Sequence, residues 1–259
     1  MSEILNFAKV SEPVSDEYGF IHTETALEIL RTLTLLRSVN GPAMSMISGA
    51  PGIGKTETLL HYERQNPGTT LRISIPKGEG NPFHVSANIL SLFNPYKRHD
   101  NDITVRRGKI MQNIGKGQIL LVDEAQNLFQ RNKASCTKGA SFGWLVAACE
   151  EGGFDLVFCG DHTLSAIMMD LPHLQSRMRR PVLIHTAPVG HVVKLAADHG
   201  FTDKAGIDLL TMAAKLIGGL RNVDNVLRMA AIFAGKDRIT VGHLQAASHD
   251  LKLKIVGSK

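Results

Sequence analysis

The fold of this chain is decided by residues 44–60, which read MSMISGAPGIGKTETLL. The short apolar run from Met44 to Ile47 predicts a buried strand that leads directly into a glycine-rich turn. Residues Thr56 to Arg64, after that turn, predict a helix. A G-x-x-x-x-G-K-[ST] pattern therefore lies between a strand and a helix. This is the context that a phosphate-binding loop, or Walker A motif, requires.

The glycine-rich turn has the chemistry of a phosphate cradle. Gly52 and Gly54 permit backbone conformations in which successive N–H groups point inward around phosphate oxygens, and the helix N-terminus adds partial positive charge. Lys55 is predicted to reach the β- and γ-phosphates, and the Thr56 hydroxyl to ligate magnesium. The alternative, a glycine-rich turn with an incidental lysine, is disfavoured by the flanking strand and helix. We expect ATP and Mg²⁺ as cofactors, and the predicted nucleotide-binding residues are Gly49, Ala50, Pro51, Gly52, Ile53, Gly54, Lys55, Thr56 and, from a second motif, Asp123.

That second motif reads ILLVDE at residues 119–124. Its apolar residues predict a strand buried on both faces, with two carboxylates at its end. Asp123 is expected to hold the magnesium shell together with Thr56. Glu124 is expected to orient and polarise the attacking water. Taken alone, the motif would more often be two exposed carboxylates at a strand end, but the upstream P-loop favours a Walker B element.

The rest of the chain alternates strands with helices up to residue 187 and is helical thereafter. This order predicts an α/β fold: a P-loop core with a parallel sheet flanked by helices, and a small C-terminal all-helical lid domain. The predicted domains are an N-terminal extension (1–20), an α/β nucleotide-binding domain (21–187) and a helical lid domain (188–259). The predicted strands are Met44–Ile47, Thr69–Ile75, Gln118–Val122, Phe154–Cys159 and Val182–Ile184. The predicted helices are Thr23–Ser38, Thr56–Arg64, Pro82–Asn94, Ile103–Asn113, Ser141–Glu150, Val192–His199, Lys204–Ile217, Val223–Ala234 and Val241–Leu253.

Composition excludes several classes of protein. No apolar run is long enough to span a membrane, and the N-terminus lacks the basic-then-apolar pattern of a secretory signal. Three cysteines, at 136, 149 and 159, are too few for a disulfide framework or a zinc site. Cys159 and the single tryptophan, Trp144, lie in apolar segments and are expected in the core. The formal charge of +5 is a mild bias compatible with a polyanionic partner. We expect a cytoplasmic protein with no membrane partner.

The two motifs and the helical C-terminal domain resemble those of the AAA+ ATPases, over roughly residues 20 to 255. The resemblance implies ATP hydrolysis to ADP and phosphate, and it implies roles for three further residues. Asp161, after the Phe154–Cys159 strand, takes the sensor-1 position, although Asn or Thr is more usual there. Arg177, in the phrase LQSR, corresponds to the arginine finger that acts across a subunit boundary, with Arg179 or Arg180 in reserve. Arg221, in the phrase GGLRNV, corresponds to sensor 2 and would reach the γ-phosphate of its own subunit.

The phrase LVDEAQNL at residues 121–128 narrows the resemblance to the transposition regulators, the group that includes the B protein of phage Mu. That group implies an ATP-dependent protein that binds duplex DNA without sequence preference and self-associates into a ring or helical filament. It would select the target and activate a transposase. Only about twenty residues precede the core, so the N-terminal helix-turn-helix of the Mu protein is not expected here.

Basic clusters provide the candidate contacts with DNA. Lysine and arginine side chains would neutralise phosphates without reading bases. The alternative is that each cluster is an ordinary solvated face. The candidates are Lys97, Arg98, Arg106, Arg107, Arg131 and Lys133.

Three other functions stay open on the sequence. A helicase-loader-type ATPase also binds DNA and ATP, although it usually carries an N-terminal partner-binding domain. A secretion-type protein-remodelling AAA+ ATPase should carry a membrane segment or a peptidoglycan-binding domain. A metabolic kinase would use the P-loop on a small acceptor and would need neither Arg221 nor a lid.

Overall fold

A five-stranded parallel sheet forms the centre of the chain. The computed structural model describes residues 20–94, 100–129, 139–185 and 188–254. The strands run in the spatial order β2-β3-β4-β1-β5. Their bounds are β1 Met44–Gly49, β2 Thr70–Ser74, β3 Ile119–Asp123, β4 Asp155–Gly160 and β5 Val182–Ile184.

Helices cover both faces of the sheet and form the C-terminal part of the chain. Those up to residue 185 are α1 Glu24–Arg37, α2 Lys55–Gln65, α3 Pro82–Ser91, α4 Ile103–Asn113, α5 Ala140–Gly152, α6 His162–Met169 and α7 Pro172–Gln175, with a 3-10 turn at Ala125–Leu128. Those after it are α8 Val189–Asp198, α9 Lys204–Lys215, α10 Leu220–Ala234 and α11 Val241–Asp250.

The sheet separates two apolar cores because successive side chains on a strand point to opposite faces. Strands β1, β3 and β4 are buried along their whole length, as expected for a parallel sheet covered on both sides. On one face, Met46, Leu120 and Phe158 belong to a core that also contains residues of α3 to α7. On the other face, Ile47, Leu121 and Val157 belong to a core shared with α1 and α2.

The four helices after residue 188 bury a third core of their own. On α10 the buried residues Val223, Val226, Leu227 and Ala230 recur at helical spacing and form one apolar stripe. Residues of α8, α9 and α11 complete this cluster. Side chains cap two of these helices: Asp203 accepts from the backbone N–H groups of Ala205 and Gly206 at the start of α9, and Thr240 forms a capping box with His243 at the start of α11.

The predicted fold class is confirmed, and every predicted strand is present. The strand bounds differ from the predicted ones by at most two residues: β1 continues to Gly49, and β3 runs one residue beyond the predicted Val122, which places Asp123 within the strand. Cys159 is fully buried, as predicted, whereas Trp144 is only partly buried at the edge of the core. None of the helices in the described part of the chain combines the length and apolar character that crossing a bilayer requires.

The prediction missed α6 and α7. In α6 almost every position after Thr163 is apolar, yet only Leu164 and Met168 are buried, so the sequence shows no clear amphipathic stripe. Met169, the last residue of α6, is two-thirds exposed. Helix α7 is a single turn that begins at Pro172, too short to produce a recognisable period.

Candidate nucleotide-binding site

The P-loop leaves the carboxyl end of β1 and turns into α2, as its sequence predicts. Gly52 has φ 74° and Gly54 has φ 92°, so both occupy the left-handed region that favours glycine. Gly54 is the residue immediately before α2, and Lys55 and Thr56 lie in the helix's first turn. The free N–H groups of that turn point towards the loop, which makes it an anion-binding site.

Lys55 lies across the inside of this loop. Its Nζ donates hydrogen bonds to the carbonyl oxygens of Gly49 and Ala50, each at 2.8 Å. Burial lowers the pKa of Lys55, while the charges of nearby groups, Asp123 among them, oppose that shift. Phosphate oxygens would offer this ammonium stronger acceptors than the two carbonyls, because both partners would then be charged.

Asp123 lies beside the P-loop at the end of β3, and its side chain is buried. Its Oδ1 accepts from the backbone N–H of Glu124 at 3.0 Å, and its Oδ2 lies 3.9 Å from Nη1 of Arg72 on β2. Arg72 also donates from Nε to Glu63 at 3.1 Å. Sequence reasoning missed Arg72, because its place beside Asp123 follows only from the pairing of β2 with β3.

The donors at this position suit magnesium. The Asp123 carboxylate and the Thr56 hydroxyl are hard oxygen ligands of the kind that Mg²⁺ prefers, with phosphate oxygens supplying further ligands. Cys159 faces the same carboxylate from β4. It is not expected to bind the metal, because burial raises the pKa of its thiol far above its ordinary value. A neutral buried thiol does not act as a thiolate ligand.

Glu124 has an unusual backbone conformation, with φ 53° and ψ 36°. This left-handed conformation costs a residue other than glycine about 1–2 kcal/mol. The side chain is exposed, and its Oε2 accepts a hydrogen bond of 2.5 Å from Nε2 of Gln126. The Oε1 of Gln126 in turn accepts from the backbone N–H of Asp161 at 3.3 Å. Gln126 therefore links the two strand ends, a contact that its place in the DEAQ phrase does not reveal.

Asp161 lies at the end of β4 beside this group, where sensor 1 was predicted. Its backbone oxygen accepts from the Ser48 hydroxyl at 2.7 Å. Its carboxylate caps α6, accepting from the backbone N–H of Thr163 at 2.8 Å and from the Thr163 hydroxyl at 2.5 Å. In this structure the Asp161 carboxylate is thus already committed to a helix N-terminus, and its sensor role stays a prediction.

The loop before α10 packs directly on the P-loop. A methyl group added at Gly52 would lie 1.8 Å from the carbonyl oxygen of Gly218, and one at Gly219 would lie 2.7 Å from that of Pro51. The two backbones therefore touch through glycines. Arg221 follows in the first turn of α10, with its Cβ 3.3 Å from the same hypothetical methyl on Gly52. The structure brings Arg221 to the P-loop, and its contact with the γ-phosphate stays a prediction.

Two family comparisons agree with this geometry. The AAA domain family matches residues 38–168, which include both motifs. The chain belongs to the AAA domain family. The C-terminal domain of the Mu B transposition protein matches residues 176–251, which include α8 to α11.

Among curated relatives, the ATP-dependent target DNA activator B of Escherichia phage Mu is 24% identical over 255 residues. The alignment covers 91% of this chain and 74% of that protein. The protein of the same name from Escherichia phage D108 matches with the same identity and coverage. The resemblance predicted from the motifs is therefore confirmed.

Solved structures share the fold at 15–16% identity. Drosophila ORC bound to DNA superposes with a TM-score of 0.61, covering 95% of this chain and 63% of its own. Aeropyrum pernix ORC1 in complex with DNA gives 0.64, with 93% and 66% covered. Cdc6p from Pyrobaculum aerophilum gives 0.62, with 98% and 71% covered. This AAA chain spans slightly less than two thirds of the first two structures.

The candidate arginine fingers of this AAA protein lie on its surface near α7. Arg177 donates from Nε to Glu150 at 2.8 Å and from Nη1 to the carbonyl of His173 at 2.6 Å. Arg180 donates from Nε to the Thr32 hydroxyl at 3.0 Å and from Nη2 to the Glu28 carboxylate at 3.1 Å. None of these side-chain partners belongs to the P-loop or the Walker B strand, and the arginine-finger role stays a prediction.

One predicted DNA contact is corrected by the structure. Arg106 is buried, and its guanidinium lies 3.7 Å from the centre of the Phe83 ring while donating to the Phe83 carbonyl at 2.8 Å. It also donates to the carbonyl of Asp100. These contacts join α3 to α4, so Arg106 has a structural role and does not present its charge to DNA. Arg107 is partly exposed and lies 3.5 Å from Glu151, whereas Lys97, Arg98, Arg131 and Lys133 lie outside the described residues.

Proposed function

We propose that this chain is an ATPase that binds duplex DNA without sequence preference, self-associates on it and acts in transposition as target selector and transposase activator. One observation carries the proposal: a P-loop, a Walker B strand and a helical lid that packs on the P-loop occur in a chain aligned over 91% of its length with a target DNA activator that is ATP-dependent. The likeness to ORC and Cdc6 structures concerns the fold and does not favour a helicase loader.

In this proposal the residues of the site divide the work of hydrolysis. The P-loop N–H groups and Lys55 bind the phosphates, and Arg221 adds a positive charge from the lid. Glu124 accepts the proton of the attacking water. Thr56 and Asp123 would hold magnesium, which would neutralise charge that develops on the phosphate oxygens.

ATP would control DNA binding by controlling the association of subunits. A single subunit contributes only a small number of proposed phosphate contacts, so its affinity for a duplex is expected to be weak. If Arg177 meets ATP on a neighbouring subunit, then ATP joins subunits and lets their weak basic surfaces act together. Lys97, Arg98, Arg107, Arg131 and Lys133 are the proposed phosphate contacts, because lysine and arginine at phosphates confer affinity without base information.

Fluorescence anisotropy with random-sequence duplexes tests this function. We expect binding with ATP and magnesium and little dependence on sequence. Affinity should fall steeply with salt: the logarithm of the binding constant, plotted against the logarithm of salt concentration, should have a slope of about −0.9 for each phosphate neutralised. Lys55→Ala is the matched control, because it keeps every proposed DNA contact and removes the phosphate ligand. Failure of the wild-type chain to bind at low salt with ATP would reject the proposal and favour a protein-remodelling ATPase.

A further inference from the structure

The structure assigns Gln126 the role of a positioning residue for Glu124 in ATP hydrolysis, an inference that rests on the proposed ATPase function. Gln126 lies in the 3-10 turn Ala125–Leu128, which directly follows the Walker B strand. Its amide spans two strand ends: Nε2 donates to the Glu124 carboxylate at 2.5 Å, and Oε1 accepts from the Asp161 N–H at 3.3 Å. It thus connects the predicted base to the end of β4.

The chemistry of these two partners selects glutamine. A carboxylate needs a donor and a backbone N–H needs an acceptor, so the partners also fix which way the amide points. Glutamate at 126 could accept from Asp161 but would set a second negative charge against Glu124. Asparagine would present the same groups on a side chain one carbon shorter.

The Gln126 amide packs closely against Gly160 at the end of β4. A methyl group at Gly160 would lie 2.4 Å from Oε1 of Gln126, so the absence of a side chain at the end of β4 admits the amide. The neighbouring Asn127 is used differently, since its Nδ2 donates to the carbonyl of Ile75 at 2.8 Å and anchors the turn to β2. Asn127 therefore holds the turn against the end of β2, while Gln126 contacts the end of β4.

The link restricts a side chain that is otherwise exposed. Glu124 has a left-handed backbone and an exposed side chain, and the hydrogen bond from Gln126 holds its carboxylate. Lys55 is close enough to Glu124 for their charges to interact, but its Nζ donates to the carbonyl oxygens of Gly49 and Ala50. A fixed carboxylate holds an attacking water in one orientation, and small losses of such orientation lower the rate strongly.

The test compares Gln126→Met with Gln118→Met in the full-length chain. Gln118 is the matched control because it precedes β3 at the opposite end and also bridges two backbone groups. Its Nε2 donates to Gly68 at 3.0 Å, and its Oε1 accepts from Gly115 at 3.2 Å. Phosphate release and affinity for a fluorescent ATP analogue would be measured for both variants, with thermal unfolding to confirm the fold.

We expect Gln126→Met to lower kcat about tenfold or more, as removal of a hydrogen bond to a charged group predicts, with the affinity for ATP unchanged. Gln118→Met should leave kcat within about twofold of wild type, since it is remote from the nucleotide. Gln126→Glu should also lower kcat, because it can accept from Asp161 but donates no hydrogen bond to Glu124. A glutamine that only stabilised the fold would not lower kcat while ATP affinity and thermal unfolding stayed unchanged.

Gly160→Ala gives an independent route to the same state, because its methyl would displace the amide and leave Gln126 in the sequence. It should reproduce the lowered kcat, and combination with Gln126→Met should add little further loss. If wild type hydrolyses ATP and both Gln126→Met and Gln126→Glu keep its kcat, the inference is wrong while the proposed function stands. If wild type itself hydrolyses no ATP, the proposed function fails first.

Discussion

At the scale of single residues, Asp123 and Glu124 are adjacent carboxylates in different settings. Asp123 ends a buried strand, accepts a backbone N–H and faces Arg72. Glu124 leaves the strand in a left-handed conformation and is exposed. A charge that is buried and neutralised suits a metal ligand, whereas an exposed carboxylate with one fixed oxygen suits a base that must meet water.

Glu124→Gln tests that division directly. The substitution keeps the size of the side chain but removes the ability to accept a proton, so ATP binding should persist while hydrolysis falls by roughly 10²–10⁴-fold. Phosphate release and nucleotide affinity measured on one preparation separate the two effects. Lys55→Ala is the contrasting variant, expected to lose nucleotide binding itself. Normal hydrolysis by Glu124→Gln would show that another group activates the water.

A histidine at the start of α8 predicts sensitivity to acid. The Nε2 of His191 accepts from the backbone N–H of Glu24 at 3.1 Å, so the neutral ring carries its proton on Nδ1, which is buried without a partner. Burial lowers the pKa of His191 below its ordinary value. The unfolded chain therefore binds this proton more readily, so the stability that neutral His191 contributes is lost as pH falls through the lowered pKa.

Thermal unfolding of wild type and His191→Gln between pH 8 and pH 5 measures this effect. The wild-type midpoint should fall more steeply with acidification, because glutamine can accept from Glu24 and never becomes charged. Parallel curves for the two proteins would contradict the placement of a neutral acceptor at residue 191.

At the scale of elements, α10 carries the contact between the lid and the P-loop. Both of its ends are glycines in conformations that favour glycine: Gly219 has φ 57° and ψ −132°, and Gly235 has φ 61° and ψ −107°. Only Gly219 is crowded, since a methyl there would meet the Pro51 carbonyl, whereas one at Gly235 meets nothing within 4 Å. The two ends form a natural pair for comparison.

Alanine at each end separates backbone strain from lid contact. Both Gly219→Ala and Gly235→Ala should lose roughly 1–3 kcal/mol of stability, the usual cost of such a conformation for a residue with a side chain. Only Gly219→Ala should also lower ATP affinity, because its methyl pushes α10 and Arg221 away from the P-loop. Calorimetric titration with ATP checks this, and equal affinities for the two variants would refute the contact.

The elements also show what the sequence could reveal. The P-loop and the Walker B strand are local patterns: a glycine at a positive φ, a helix start and a buried strand are each specified within a few residues. The contacts of Arg106 with Phe83 and of Gln126 with Asp161 join residues 23 and 35 positions apart. Such contacts depend on how strands pair and helices pack. They could therefore not be predicted from the basic cluster that contains Arg106 or from the DEAQ phrase that contains Gln126.

At the scale of the whole molecule, the central expectation is that one site is completed by two subunits. Arg177 is exposed, and its contacts with the described residues are the exposed Glu150 and the carbonyl oxygen of the exposed His173, so it is available to a neighbour at little cost. An arginine that stabilises charge on the γ-phosphate from another subunit makes hydrolysis depend on assembly.

Mixing two inactive variants tests this expectation. Arg177→Ala should bind ATP without hydrolysing it efficiently, and Lys55→Ala should not bind ATP at all. A mixture should regain part of the wild-type rate, because the intact Arg177 of one variant meets the intact P-loop of the other. Absence of any gain across mixing ratios, with both variants folded and associating, would place Arg177 outside the catalytic contact.

Electron microscopy of this chain on random-sequence duplex DNA, with ATP and magnesium, tests nucleotide-dependent assembly most directly. ATP-dependent assembly predicts rings or helical filaments along the wild-type duplex, and bare DNA both without nucleotide and with Lys55→Ala. Bare DNA under every condition, or equal coverage with and without nucleotide and with Lys55→Ala, would contradict the claim that nucleotide binding assembles this AAA protein on DNA.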